Sequence, residues 1–287
     1  MLPAPRQVLE NWLKKLDGRW DVPISIGQVS AALGVVLVLG DEGLRESLAR
    51  GGSVELSEAV ARTQTKDGLF VPASKPCIYL AGAPSDPDAL TERQRFTWAH
   101  ELAHFLLWKT TGFSSAGNYW HIERDCNWFA SLLLVPDRAL EKIVGRPSRA
   151  WLGSVREVMA ACRVSWPVAA GRMTMFSGGK IVFLRGRLLR PAGQEWRIEI
   201  TYSSAVAYTG DALGAGSKIK SFVFTERCRL AEEGKVIGTK LHFDIGQLKT
   251  NSCFALVRRR NENIEMMVRV AHLPPDPVRS STTGVHH

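Results

Sequence analysis

Residues 91–112 read Thr-Glu-Arg-Gln-Arg-Phe-Thr-Trp-Ala-His-Glu-Leu-Ala-His-Phe-Leu-Leu-Trp-Lys-Thr-Thr-Gly, and the organisation of the chain turns on them. Thr91 through Gln94 has capping-box form: a hydroxyl and a side-chain amide satisfy backbone groups that the first helical turn leaves orphaned. Phe96, Ala99, Ala103, Leu106 and Leu107 recur at helical spacing, and Gly112 after two threonines provides a stop. On such a helix His100 and His104 share a face, one turn apart, so two imidazoles can grip one metal ion. Glu101 lies about 100° round from His100, close enough to reach a metal-bound water without being a ligand. Histidines holding an ion that acidifies water, beside a carboxylate that takes the proton, is the geometry of a zinc hydrolase.

A His-Glu-x-x-His string alone arises by chance on polar helix faces, so the reading needs a third ligand. His121-Ile-Glu-Arg-Asp-Cys-Asn-Trp-Phe-Ala130 runs into Leu132-Leu-Leu-Val-Pro136, a second apolar helix stopped by proline. Glu123, Asn127, Ala130 and Leu134 align at helical spacing. Asp125 lies about 200° round from Glu123, so only one of these two acids can face the metal.

The segment Arg93–His104, followed by Glu123-x-x-Cys126-Asn127-x-x-Ala130 and Leu133-Leu134-Val135-Pro136, resembles the ImmA/IrrE family of bacterial zinc metallopeptidases, including the proteases of antiphage operons. The resemblance implies a zincin-like fold in which His100, His104 and Glu123 bind zinc and Glu101 is the general base. One departure stands out: Leu132 occupies a position where members often carry an acid, and that position is not a zinc ligand.

At 287 residues and 45% hydrophobic composition the chain can bury more than one core. No apolar run is long enough to span a bilayer. The start, Met1-Leu-Pro-Ala-Pro-Arg6, leads into an amphipathic stretch with Leu9, Trp12, Leu13 and Leu16 that lacks the continuous apolar core of a signal peptide, so a cytoplasmic location is expected. Five cysteines, an odd number, fit reduced thiols.

The expected architecture is α+β in four parts. Residues 1–146 form the metallopeptidase domain, with an apolar strand at Gly34–Leu39 and a hairpin from Gly68–Val71 to Cys77–Leu80. A strand bordering the cleft can hold an extended substrate by strand addition. Residues 147–178 read as a helix-turn-helix segment, with a capping box at Ser154–Glu157 and a second start at Ser165 and Pro167. That second helix, Trp166 to Arg172, has few donors for base edges, which favours packing over DNA reading. Residues 179–273 hold stretches that read as strands: Ile181–Leu184, Trp196–Ile200, Ser221–Phe224, Lys240–Asp244, Ser252–Val257 and Ile264–Val270. This predicts a mostly antiparallel sheet, and the resemblance places a GAF-like sensor domain here. Residues 274–287 read as a disordered tail.

Charge separates the parts. Residues 177–287 hold 17 Lys and Arg against 10 Asp and Glu, a net of +7, leaving +2 of the chain's +9 for the rest. Arg185, Arg187, Arg190, Arg258, Arg259 and Arg260 are candidates for a phosphate-facing surface, with Phe183, Trp196 and Phe254 as stacking platforms for single-stranded nucleic acid.

Further site candidates are Tyr119 and His121, expected in the loop before the second helix, as oxyanion donors. Cys77 and Cys126 are candidate thiols for the open metal position. The resemblance implies a helix-turn-helix repressor as substrate, cleaved after DNA damage or phage infection, with single-stranded DNA as a stimulus. A DNA-binding regulator with a structural zinc and no proteolysis is the alternative, and an intact Glu101 argues against it. A scaffold that sequesters a partner through the cleft has no feature in its favour.

Overall fold

The structure, a computed structural model, describes residues 4–49, 56, 58–60, 67–112, 119–145, 154–177, 181–189, 197–203, 218–219, 236–245, 248–260 and 263–269. The chain divides into two compact units, Met1–Leu140 with Glu157–Ala169, and Glu141–Arg156 with Ala170–His287. The expected linker 147–178 is therefore shared between them.

The first unit opens with helices α1 (Pro5–Leu16) and α2 (Ile26–Leu33), the latter ended by Gly34 in the left-handed conformation (φ 75°). Strand β1 (Val36–Leu39), helix α3 (Gly40–Ala49) and the hairpin β2 (Gly68–Val71) and β3 (Cys77–Leu80) follow. The sheet order is β1-β3-β2, with β1 parallel and β2 antiparallel to β3. The expected strand at Gly34–Leu39 thus starts two residues late, because Gly34 and Val35 close the preceding helix through bonds from Gly34 N to Ala31 O and Val35 N to Ser30 O.

Helix α4 (Glu92–Thr111) carries the motif. Both halves of the Thr91/Gln94 capping box are made, and Gly112 at φ 61° caps the other end. Its buried residues, Trp98, Ala99, Leu102, Ala103, Phe105, Leu106 and Leu107 among them, cover most of its circumference. It runs through the middle of the unit, with the sheet on one side and helices α1 and α5 (Tyr119–Leu134) on the other. Phe70 of β2 meets Phe105 and Trp108 at ring-centroid distances of 5.7 and 5.8 Å, which seats the hairpin on α4. Burying side chains of this size stabilises the unit by about 1.5–3 kcal/mol each.

Helix α6 (Asp137–Val144) follows Pro136. Helices α7 (Val155–Cys162) and α8 (Trp166–Phe176) are joined by Arg163–Ser165, with Arg163 at φ 51°. This is the expected pair of helices with a tight turn. On α8 Trp166, Ala169, Ala170, Arg172 and Met173 are buried, so even its arginine is turned inward and the helix packs.

In the second unit six strands form one antiparallel sheet. They are β4 (Ile181–Leu189), β5 (Arg197–Ser203), β6 (Lys218–Ile219), β7 (Val236–Ile245), β8 (Leu248–Arg260) and β9 (Asn263–Arg269), in the order β6-β5-β4-β9-β8-β7. Strands β4 and β8 run longer than the apolar stretches that announce them, since arginines at Arg185, Arg187 and Arg258 to Arg260 continue the ladders. The strand expected at 221–224 and the tail at 274–287 lie outside the described residues. Among the described residues no helix is long and apolar enough to cross a membrane.

Candidate metal centre

One turn of α4 and one turn of α5 bring two imidazole nitrogens and one carboxylate together. His100 Nε2 lies 3.1 Å from Glu123 Oε2, His104 Nε2 lies 3.2 Å from Glu123 Oε1, and the two Nε2 atoms are 3.2 Å apart. Among the described residues this is the one cluster of three such groups. A tetrahedral zinc with ligands at about 2.0–2.1 Å has ligand atoms about 3.3 Å from one another, close to the spacing between the two Nε2 atoms and between each of them and one oxygen of Glu123.

The chemistry of the atoms points the same way. His100 Nδ1 is 3.0 Å from Asn127 Oδ1, an oxygen that only accepts, so Nδ1 carries the hydrogen and Nε2 presents its lone pair. That lone pair faces a carboxylate and a second imidazole, an arrangement that a cation relieves. The side chains of His100, His104 and Glu123 are 14%, 20% and 24% exposed, so the cluster is sheltered yet open on one side.

Asp125, the other acid of the second helix, is buried and paired with Arg6 (Nη1 to Oδ1, 3.4 Å), whose guanidinium stacks on Trp128. This contact from α1 holds Asp125 away from the cluster and leaves Glu123 to face it.

Glu101 accepts a hydrogen bond from the backbone N–H of Phe70 at 2.8 Å, which fixes its carboxylate between α4 and β2. Burial holds its acid strength below that of an ordinary glutamate, raising its pKa. The charge of His100 and the Phe70 bond oppose the rise, and Glu123 adds to it. A carboxylate whose proton affinity is raised is a better base. His104 is pushed down from the ordinary histidine value, mainly by burial and then by His100, against the pull of Glu123. The imidazole therefore stays neutral, as ligation requires.

The remaining candidates are distributed unequally. Tyr119 and His121 lie in the first turn of α5 and not in a loop before it, which corrects the expectation for both. Tyr119 stands four residues before Glu123, and the charge of that carboxylate is the main cause of its raised phenol pKa. His121 is about 200° round from Glu123 and is exposed to solvent, so the helix does not bring it to the cluster. Cys126 is fully buried with Sγ 3.7 Å from His104 Nδ1, behind the imidazole and not on its metal-facing side, and burial raises its thiol pKa.

Cys77 does not join the centre. It packs in a core with Val38, Leu56, Val71 and Tyr79, and Tyr79 bonds Asp41 of α3. Phe70 and Ile78, at alternate positions, belong to the face on α4, so strand alternation turns Cys77 away from the metal. Burial lifts its thiol to about 11.

In the second unit, Arg185 is half exposed and pairs with buried Glu265 (3.4 Å), while Arg187 is exposed. Register places Arg185 opposite Glu265 and Glu265 opposite Arg258, and Arg187 opposite Asn263 and Asn263 opposite Arg260, with Arg259 at the intervening position. Phe183 is buried at 3% exposure, so it serves the core and is no platform for bases. Arg190 and Trp196 lie outside the described residues.

Two groups were not assigned from the sequence. Asn127, one turn after Glu123, could have been found by that spacing. The Phe70 N–H could not, because its approach to Glu101 depends on how the hairpin seats on α4.

Residues 60–174 match the family model of the IrrE N-terminal-like domain, Peptidase_M78. Among curated proteins no sequence gives a significant match. Among solved structures the chain is similar to a Mycobacterium tuberculosis transcriptional regulator at TM-score 0.53 and 13% identity, covering 92% of this chain and 75% of that one. At that identity the likeness concerns the fold.

Proposed function

From a chain whose residues 60–174 carry the metallopeptidase-type domain of the ImmA/IrrE family, we propose a zinc-dependent endopeptidase that cleaves a helix-turn-helix transcriptional repressor and so releases DNA-damage or antiphage defence genes. The observation that carries this reading is the His100, His104 and Glu123 triangle with Glu101 beside it. His100 and His104 would hold the ion through Nε2 and Glu123 through its carboxylate. When bound, zinc supplies Lewis acidity toward water and toward the scissile carbonyl.

The protein's own groups then do the following. Glu101, positioned by the Phe70 N–H, takes a proton from water at a carboxylate oxygen and later delivers one to the leaving amine. Tyr119, beside Glu123, donates its hydroxyl hydrogen toward the oxygen that becomes negative. Asn127 holds the ring of His100. The antiparallel sheet of residues 181–269 supports the reading of a GAF-like sensor, and its Arg185, Arg187 and Arg258 to Arg260 supply positive charge for single-stranded DNA as a stimulus. A regulator with a purely structural zinc has less support, because nothing in that role needs a part-buried Glu101 held by the Phe70 N–H.

The test is Glu101→Gln in the full chain, incubated with a repressor encoded beside it, with and without single-stranded DNA. Gln keeps an oxygen for the Phe70 N–H, so fold and zinc content are retained while cleavage falls by about 10²–10⁴-fold. Undiminished cleavage by a contaminant-free Glu101→Gln protein sinks the proposal.

A further inference from the structure

Cys126 has no part in the chemistry above, yet it is wholly buried with Sγ 3.7 Å from His104 Nδ1. His100 has instead an amide oxygen, Asn127 Oδ1, at 3.0 Å from its Nδ1. The two partners differ in kind. The amide oxygen only accepts, so it fixes His100 as the Nδ1–H tautomer. A thiol is both a weak donor and a weak acceptor, so it can pair with either tautomer of His104.

The choice matters because His104 Nε2 stands 3.2 Å from Glu123 Oε1 and 3.2 Å from His100 Nε2. With lone pairs on all these atoms the cluster suits a cation. With a hydrogen on His104 Nε2, that nitrogen donates to Glu123 and the same geometry is satisfied without one. A fixed amide oxygen at Cys126 would allow only the first arrangement.

We propose that Cys126 is a positioning residue that lets His104 change tautomer with metal occupancy: its sulfur accepts from Nδ1–H when metal is held, and its S–H donates to Nδ1 when metal is absent. This rests on the zinc reading above. The ring carries one hydrogen in both states. On loading, Nε2 releases its proton to solvent and Nδ1 acquires one from solvent, while the sulfur keeps its hydrogen and rotates it away. Nothing is oxidised or reduced. The site is preorganised at His100 and adaptable at His104, so the metal-free cluster keeps its shape and loading is reversible.

Long-range proton–nitrogen spectra of the full chain, metal-free and with equimolar zinc, report which ring nitrogen carries hydrogen. His104 is expected to pass from Nε2–H to Nδ1–H on zinc addition, with His100 as Nδ1–H throughout. Cys126→Ser, whose hydroxyl also donates and accepts, preserves the change. Cys126→Ala leaves Nδ1 of the ring without a partner in either state, so the imidazole loses the contact that orients it and zinc binding weakens about tenfold, with circular dichroism confirming the fold. His104 as Nδ1–H in both states, or Cys126→Ala matching wild type in zinc affinity, overturns the proposal. A wild-type protein that takes up no zinc overturns the zinc reading itself, and the metal titration shows that separately from the spectra.

Discussion

Burial acts on both titrating groups of the centre in the same sense, toward the uncharged form, and this gives the metal-free protein a defined pH response. His104 is lowered from 6.5, so the unfolded chain binds its proton first as pH falls. Its contribution to stability is complete above about 6.5 and is lost as pH drops through the lower folded value. Glu101 is raised from 4.5, so its contribution is complete below the unfolded value and is lost as pH rises through the folded one. In chelator, melting temperature should therefore fall as pH is lowered from neutrality past 6.5, and His104→Gln should flatten that slope. An unchanged slope in His104→Gln would show that the imidazole is not held neutral by its surroundings. At this scale the sequence was legible wherever spacing along one helix decided the matter: His100, His104 and Glu101 follow from the 3.6-residue turn. Spacing alone leaves Glu123 and Asp125 open and the resemblance chooses Glu123; in the structure Asp125 is the acid that pairs with Arg6.

Elements set the distances among these residues. The start and stop of α4 were readable because caps are local chemistry, and both Thr91/Gln94 and Gly112 behave as their residue types require. The seat of β2 on α4 was not readable, because it depends on a glycine whose contact lies far along the chain. A Cβ at Gly68 would meet Thr97 Cγ2 at 2.6 Å, Leu80 Cδ2 at 3.0 Å and Tyr79 O at 3.1 Å, so hairpin and helix touch there with no room for a methyl group. Gly68→Ala must push β2 outward, two residues from the Phe70 N–H that holds Glu101. Overpacking of this kind costs about 1–3 kcal/mol, and cleavage should fall well beyond what the lost folded fraction explains. Measuring kcat together with the melting curve separates the two effects. A variant that is destabilised but fully active per folded molecule would mean that the Phe70 bond does not position the base. Cys77 teaches the same lesson in reverse: its strand was found, but its face was fixed only by which side α4 covers.

Across the whole molecule, the sequence separates a near-neutral part from a basic sheet part, and the family match at residues 60–174 falls within the first. Within the second, the arginines were read as one surface, and the structure gives Arg185 and Arg187 different work. Arg185 neutralises buried Glu265, so Arg185→Ala should cost on the order of 1–2 kcal/mol, discounted for its half exposure. Arg187 is exposed, so Arg187→Ala should leave the melting temperature within a degree or so while weakening single-stranded DNA binding and its salt dependence. DNA binding that is insensitive to both substitutions would remove this sheet from the regulatory reading. X-ray absorption at the zinc edge of the zinc-loaded protein tests the metal centre most directly. Two imidazole nitrogens and oxygen ligands at about 2.0–2.2 Å are predicted, with no sulfur at about 2.3 Å. A sulfur shell, or a protein that holds no zinc after loading and desalting, would contradict it.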